Sequence, residues 1–517
     1  MASETTNVET FDAEAVNAKH NRELYAARQK IHPKRASGSF RSLKWVIMLV
    51  TLGVYYITPW LRWDRGPYAP DQAVLVDLAN RRFYFFFIDI WPHEFFFVAG
   101  LLVMAGIGLF LVTSTVGRAW CGYTCPQTVW VDLFLVVERF FEGDRNARIK
   151  LDAAPWSTSK ARKRLSKHLV WVLIAMATGG AWIFYFADAP ALLKNFITGQ
   201  AAFVAYATVA VLAATTYVFG GLMREQVCTY MCPWPRIQAA MLDEHSLTVT
   251  YNDWRGEPRS RHAKKAIAAG ESVGDCVDCN ACVAVCPMGI DIRDGQQLEC
   301  ITCALCIDAC DGVMDKLGRE KGLISYSTLS AYEHNMAVAT GGVDAAAIDP
   351  ARVRTDGRFE EKIKNFHWGE VIRPRTLIYG SIYGAIGLGL LAALLMRSHL
   401  DVNVLHDRNP QFVQLSDGSI RNGYQIKILN MRTQPHSFHI ELAGLPAATL
   451  RLEGSDLGQG EGEEIAVKAN QLRNVRVFVT MHKDAIKSAA TDFTIKVSAI
   501  GSDDTVTHRA RFEAPGQ

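Results

Sequence analysis

Eight cysteines between Cys276 and Cys310 repeat one spacing. The first run is Cys276, Cys279, Cys282 and Cys286, and the second is Cys300, Cys303, Cys306 and Cys310, each C-x2-C-x2-C-x3-C. In that spacing three thiolates of a run surround one iron–sulfur cubane and the fourth reaches across to the other. Cys276, Cys279, Cys282 and Cys310 are therefore expected to hold one [4Fe–4S] cluster, and Cys300, Cys303, Cys306 and Cys286 the second. Zinc is the plain competitor, because C-x2-C pairs also form zinc knuckles. Four zinc ligands would leave the third Cys at x2 and the fourth at x3, repeated, without a purpose. Pro287 follows the first run but Asp311 follows the second. A proline there shapes a turn and is not a ligand, so the ligand count is unaffected.

The other four cysteines carry a second repeat. Cys121-Gly-Tyr123-Thr-Cys125-Pro126 and Cys228-Thr-Tyr230-Met-Cys232-Pro233 share C-x-Y-x-C-P, and each follows an apolar run. A duplicated unit that brings Cys121, Cys125, Cys228 and Cys232 together by pseudo-symmetry is expected. Thiolates at i and i+4 lie on one helix face, where they can pinch a metal if the segments are helical up to each proline. Tyr123 and Tyr230 would then point elsewhere. The competing reading is four structural cysteines, common in apolar helices. No Cys lies beyond Cys310, a reduced, metal-handling pattern rather than a disulfide framework.

The elements that must position these thiols are apolar. Of 517 residues 49% are hydrophobic, with 12 Trp and 25 Phe, and the net charge of +3 excludes little by itself. That length holds several units. Residues 1–42 are polar and contain no apolar core, unlike a secretory leader. Apolar runs follow at Leu43–Trp60, Phe95–Val116, His168–Ala187, Gln200–Leu222 and Thr376–Met396. About 20 such residues span a bilayer, so five transmembrane helices are expected. Thr128–Phe141 is shorter and carries Asp132, Glu138 and Arg139. It is expected as an amphipathic helix lying in the interface, with a sixth span as the weaker alternative.

Basic residues set the orientation. Eight Lys/Arg lie between Lys19 and Lys44 against one acid, Glu23, and nine lie in Arg139–Lys167. Leu61–His93 balances four Lys/Arg with four Asp, and Asp188–Gly199 has only Lys194. The positive-inside rule places the N-terminus and the cluster region in the cytoplasm and the C-terminal region outside. Arg162, Lys163 and Arg164 then read as a topology signal rather than a nucleic-acid patch.

Beyond Arg397 apolar and polar residues alternate in Gln425–Leu429, Ser437–Leu442, Arg473–Val479 and Asp492–Val497, with turn signals at Asp417-Gly418, Asn422-Gly423 and Gly501-Ser502. Short alternating strands of this kind suggest an immunoglobulin-like β-sandwich. The fold class expected is a multi-domain membrane protein: an N-terminal tail over 1–42, a four-helix α-helical transmembrane part over 43–222, an α+β ferredoxin-like 2[4Fe–4S] domain over 223–372, a fifth transmembrane helix over 373–397 and an all-β sandwich over 398–517. Leu323–Gly369, mixed polar and Gly/Ala-rich, suggests no role. No Gly-rich turn follows a strand with a downstream acid, so a nicotinamide or flavin would belong to a partner.

Along its whole length the chain resembles the FixG/CcoG family of cytochrome oxidase accessory proteins. The residues that carry the resemblance are the lead-in from Ile31 to Trp45, the two C-x-Y-x-C-P motifs, the eight-Cys run and the strand-rich C-terminal region. The resemblance implies a multi-pass protein of the bacterial cell inner membrane, with the ferredoxin domain cytoplasmic and the C-terminal domain periplasmic. It implies an assembly factor for cbb3-type cytochrome oxidase that reduces Cu(II) to Cu(I) for insertion into the oxidase. Copper would meet Cys121, Cys125, Cys228 and Cys232, the candidate catalytic residues. The partners implied are membrane lipid, copper ions, copper chaperones, the oxidase and a cytoplasmic electron donor that the sequence does not name. A homodimer is left open, and nothing points to nucleic acid.

Two other readings compete with the cupric reductase. The motifs also resemble the membrane iron–sulfur subunits of nitrate and nitrous-oxide respiration, which makes a quinol dehydrogenase or electron conduit the first alternative. A non-enzymatic assembly scaffold that docks through its sandwich is the second. The sandwich favours the oxidase accessory family, because the quinol-type subunits usually lack it. His436, His439 and the Met481-His482 pair invite reading as copper ligands, but residues three apart on a strand face opposite sides. A solvated sheet face is the expectation there, and interface packing for His93.

Overall fold

The computed structural model describes residues 9–16, 30–339, 366–445, 447–453, 463–486, 488–502 and 504–515. Lys19, Arg22, Glu23 and Arg28 of the basic lead-in, and 340–365 of the stretch given no role, lie outside them. The chain forms two compact units. The larger comprises Met1–Leu61, Val74–Phe85 and Asp89–Leu388, and the smaller Arg62–Ala73, Phe86–Ile88 and Gly389–Gln517.

In the larger unit the helices that matter are α1 (Ser39–Ile57), α2 (Phe96–Val116), α3 (Pro126–Glu142), α4 (Thr158–Ile183), α5 (Phe203–Thr216), α6 (Ala281–Val285), α7 (Leu305–Leu317) and α8 (Pro374–Leu395). Among the described residues four helical stretches are long and apolar enough to cross a membrane: Ser39–Trp60, Pro92–Val116, Phe203–Met223 and Pro374–Leu395. The fifth expected span is not among them. Its helix α4 opens with ten residues that carry five Lys/Arg and ends at Ile183, so His168–Ala187 is not wholly helical and shares its helix with a strongly basic head. The apolar half of α4 nevertheless packs on α5. A Cβ on Gly179 would sit 2.9 Å from the Val209 carbonyl. Beyond the end of α4, Tyr185 donates its hydroxyl to the Tyr55 carbonyl near the end of α1, at 2.9 Å.

Helix α3 is not a surface amphipath. Asp132, Glu138 and Glu142 are all buried. Asp132 pairs with Arg41 at 2.9 Å and Lys44 at 3.1 Å on α1. Glu138 pairs with Arg224 at 2.7 Å and Arg148 at 3.1 Å, and Glu142 with Arg164 and Lys167, both at 2.9 Å. Carboxylates with such partners can leave water, whereas unpaired ones cannot. Burial pushes the Glu138 carboxyl up, but Arg224, Arg148 and Lys167 outweigh it and hold it down at about 2. The polar face of α3 therefore ties α1, α4 and the segment at Arg224 together.

The cluster region is α+β. Strands β1 (Thr248–Tyr251) and β2 (Ile324–Ser327) pair antiparallel, with Val249 opposite Tyr326, beside α6 and α7. The described part of the polar tail belongs to this core. Phe11 is buried and donates its N–H to the Cys279 carbonyl at 2.9 Å. Lys34 donates its N–H to the Ala284 carbonyl at 2.7 Å.

The smaller unit is a sandwich of β3 (Leu400–His406), β4 (Ile420–Asn430), β5 (His436–Ala443), β6 (Ala448–Leu452), β7 (Glu463–Val467), β8 (Gln471–Met481), β9 (Ala490–Ala499) and β10 (Thr505–Glu513). One sheet has the order β6-β8-β4-β3 and the other β7-β5-β9-β10. Every second residue points inward, as the strand period demands: Tyr424, Ile426 and Ile428 on β4 meet Ile440 on β5 and Ile495 and Val497 on β9. The expected turn at Asn422-Gly423 is instead the interior of β4. The fully buried Asn422 side chain donates to the Glu513 carbonyl at 2.8 Å and accepts from the Glu513 N–H at 2.9 Å. Gly423 is required there because a Cβ would collide with an Asp407 carboxylate oxygen.

Candidate functional site

The two cysteine runs fold the same way. In each, the residue before the second Cys and the residue after it take positive φ: Asp278 and Asn280 in the first run, Thr302 and Ala304 in the second. Non-glycine residues pay for that conformation, and the result is a loop curled inward with its N–H groups toward the sulfurs. The N–H of Ala281 serves Cys279, that of Thr302 serves Cys300, and those of Met288 and Ile290 serve Cys286. A helix then starts in each run, α6 at Ala281 and α7 at Leu305. Helix α6 stops at Val285, before Pro287, whereas α7 runs on through Asp311 to Leu317. This accounts for the missing second proline: Asp311 sits mid-helix and accepts the Gly322 N–H at 2.9 Å.

Two cavities open between the runs. One is lined by Cys276, Cys279, Cys282 and Cys310, with Tyr251 and Arg293. The other is lined by Cys286, Cys300, Cys303 and Cys306, with Cys282 and the aliphatic residues Met288, Ile290 and Leu305. Among the described residues no three His, Cys, Asp or Glu side chains close around a single bare ion. Cysteines that line a gap instead of converging on a point suit a multi-atom cluster and not zinc. Burial pushes the Cys286 thiol up to about 12 and Cys300 to about 11, and neighbouring thiols push the same way. Such a set ionises only with a strong positive charge in its midst, and iron supplies it. The residues fit two cubanes, which when bound supply one-electron chemistry.

The second repeat lies directly against the second run. Trp120–Thr124 and Val227–Met231 each form a wide turn, closed by Cys125 N–H to the Trp120 carbonyl and Cys232 N–H to the Val227 carbonyl, both at 2.8 Å. Four residues before the first Cys of each, Gly117 and Arg224 take positive φ. The expected one-face helix is therefore a duplicated widened turn. Among the described residues the four thiols are near enough to act on one another, Cys121 on Cys125 and Cys232, and Cys228 on Cys125, Cys121 and Cys232, without three of them closing around one ion. Burial pushes the Cys121 and Cys228 thiols up to about 12. Cys121 donates to the Gln238 side-chain oxygen at 3.0 Å. Cys121 and Cys228, like Cys286 and Cys300, pack against the buried cluster that contains Ile301, Cys303 and Leu305. Gly122 makes this approach possible, because a Cβ there would lie 2.6 Å from the Ile301 carbonyl and 3.1 Å from the Cys303 backbone. Tyr123 donates to the Cys303 carbonyl at 3.2 Å, whereas Tyr230 is exposed.

Two site residues carried no sequence signal. Asp308, buried between Cys306 and Cys310, accepts the N–H groups of Phe40 at 3.2 Å and Arg41 at 2.7 Å and so caps α1. Arg118, also buried, donates to the Cys300 carbonyl at 3.0 Å and to the carbonyls of Leu298 and Pro235. In the sandwich His436 meets the ring of the buried Phe438 edge-on and is itself half-buried, while His439 lies on the other face, 3.5 Å from Glu441. His93 is exposed.

Comparison with known proteins agrees with this geometry. Residues 223–329 match a family model described as a 4Fe-4S dicluster domain, residues 96–142 a 4Fe-4S binding domain, and residues 390–515 the IG-like fold at the C-terminus of FixG. Nitrogen fixation protein FixG of Rhizobium meliloti is 66% identical over 98% of this chain and 97% of its own. The chain belongs to the FixG family. Protein RdxB of Cereibacter sphaeroides is 53% identical over 95% of this chain and 98% of its own, and protein RdxA of the same organism 50% over 93% and 96%. As a FixG-family member the chain is an iron–sulfur membrane protein with a C-terminal Ig-like domain. The model matched at 96–142 spans Cys121 and Cys125 but none of the eight-Cys run.

Proposed function

We propose that this FixG-family chain reduces Cu(II) to Cu(I) at Cys121, Cys125, Cys228 and Cys232, with electrons drawn from two [4Fe–4S] clusters, and that the Cu(I) serves assembly of a cbb3-type oxidase. Cys276, Cys279, Cys282 and Cys310 hold one cluster and Cys286, Cys300, Cys303 and Cys306 the other. The observation that carries the reading is the packing of the Cys121 loop on Ile301 and Cys303, which brings the C-x-Y-x-C-P thiols close to the second cysteine run. Thiolates prefer Cu(I) over Cu(II), so the site favours the product of the one-electron step. Closing on copper requires Cys121 to release Gln238. The N-terminus and the clusters lie in the cytoplasm of a bacterial inner membrane and the sandwich lies in the periplasm, with the apolar half of α4 as the fifth crossing. The arginine and lysine distribution supports that orientation. Reporter fusions after Gly221 and after Arg397 then give opposite compartment signals, and equal signals reject it.

One observation favours a second reading. The 4Fe-4S match at residues 96–142 suits iron at the membrane thiols and an electron conduit fed by quinol. Anaerobic purification with metal analysis separates the two. The copper reading expects about eight irons per chain and tight copper binding at the membrane thiols. The conduit reading expects iron beyond eight, weak copper binding and direct reduction of the clusters by quinol.

A further inference from the structure

Each of the two cluster cavities has one arginine beside it, and the two arginines are neutralised differently. Arg293, beside Cys276 and Cys282, is gripped by carboxylates: Asp291 at 2.6 Å, Asp278 at 2.7 Å, and the Asn280 amide oxygen at 2.8 Å. Among the described residues Arg118 hydrogen-bonds to backbone carbonyls alone, those of Cys300, Leu298 and Pro235. It is 4% exposed, so water does little to screen it. Its field reaches Cys300 on one side and Cys121 on the other, and Glu299 is the carboxylate within that field. Arg118 stands three residues before Cys121, and the matching place in the second repeat, three before Cys228, holds Glu225. The second loop's own entry arginine, Arg224, is ion-paired with Glu138 at 2.7 Å, so the buried arginine held by carbonyls belongs to the first loop, the one that packs on the second cysteine run.

We infer that Arg118 is the positioning residue that sets the reduction potential of the cluster held by Cys286, Cys300, Cys303 and Cys306 and makes that cluster the last electron store before the membrane thiols. This rests on the two-cluster reading above. A reduced cubane carries one more negative charge than an oxidised one. Among the described residues Arg118 has no ion-paired carboxylate, and a buried guanidinium so placed favours the more negative state, whereas Arg293 is offset by Asp291 and by Asp278, the latter shared with the half-exposed Arg261. The cluster beside Arg118 therefore has the higher potential. One electron given by a low-potential donor to the Cys276 side passes to the Cys300 side, oxidising the first cluster by one electron and reducing the second by one. Arg118 also holds the Cys300 loop against the segment that leads into Cys121, so charge and contact act at the same junction.

The test is a redox titration of the purified full chain followed by electron paramagnetic resonance, with iron counted in each variant. The parent shows two waves. Arg118→Gln lowers the higher wave at least tenfold in its reduction equilibrium, 59 mV for a one-electron couple, and leaves the lower wave in place. Arg118→Lys, which keeps the charge, retains most of the parent value. Glu299→Gln raises the higher wave, and it decides the matter if Arg118→Gln loses iron. An unmoved higher wave in both Arg118→Gln and Glu299→Gln, a shift in the lower wave, or an equal shift in Arg118→Lys and Arg118→Gln overturns the inference. The titration uses no copper, so a failed copper assay rejects the cupric reductase while leaving these waves to be read, and one wave or none rejects the two-cluster reading itself.

Discussion

The two Cys-x-Tyr-x-Cys-Pro loops share a backbone and differ in their surroundings. Each is entered through a positive-φ residue, Gly117 or Arg224, and closed by the same wide-turn hydrogen bond. In the first loop the residue after the leading Cys is Gly122, pressed on the Ile301 carbonyl, and Tyr123 is buried and bonded to Cys303. In the second the corresponding residues are Thr229 and Tyr230, and Tyr230 is 65% exposed. Duplication supplied the four thiols, and divergence gave the loops separate tasks. The first loop presses its backbone on the second cysteine run, whereas the second sends Cys228 toward it and leaves Tyr230 and Met231 exposed.

Several substitutions separate those tasks. The largest effect belongs to Cys121→Ser with Cys125→Ser, which abolishes copper binding and leaves the iron of the eight-Cys run in place. Loss of that iron would instead make the four thiols structural. Next is Glu138→Gln, which strands Arg224 and Arg148 without their carboxylate while Lys167 keeps Glu142. Removing one partner of a buried pair costs about 3–5 kcal/mol, measurable by chemical denaturation. The folded carboxyl lies at about 2, below its unfolded value. Its contribution is therefore fully present above the unfolded carboxylate range and is lost as pH falls from there toward 2; the Gln variant lacks that acid-side loss.

Smaller effects sharpen the contrast between loops. Gly122→Ala overpacks the junction at a cost of about 1–3 kcal/mol and slows reoxidation of the reduced protein by Cu(II), whereas Thr229→Ala leaves that rate near the parent's. Equal slowing in both would mean that docking is shared. Tyr123→Phe loses one hydrogen bond, about 0.5–1.5 kcal/mol, and Tyr230→Phe stays within about 0.5 kcal/mol of the parent as an exposed substitution.

How much of this was legible in the sequence follows from the range of the forces involved. The eight-Cys spacing marked the two matching loops because their curl is local, and the sandwich strands were legible because side chains alternate with a period of two. Asn422-Gly423 misled as a turn, since a fully buried asparagine bonded to Glu513, 91 residues away, leaves no local mark. Helix α3 was misread for the same reason: Asp132, Glu138 and Arg139 look like an interfacial face until Arg41 and Lys44 reach Asp132 and Arg224 reaches Glu138 from elsewhere in the chain. Basic residues at the head of α4 kept it out of the set of apolar spans. The tail residue Phe11, the Asp308 cap of α1 and the position of Arg118 are likewise tertiary facts.

The most direct test of the central claim is a single-turnover experiment. The full chain, reduced under anaerobic conditions and freed of excess reductant, is mixed with Cu(II) while cluster absorbance and chelated Cu(I) are followed together. The account predicts that the clusters reoxidise as Cu(I) appears, one Cu(I) for each electron lost, and that the variant lacking Cys121 and Cys125 holds its reduced clusters. Reoxidation of that variant at the parent's rate would contradict it.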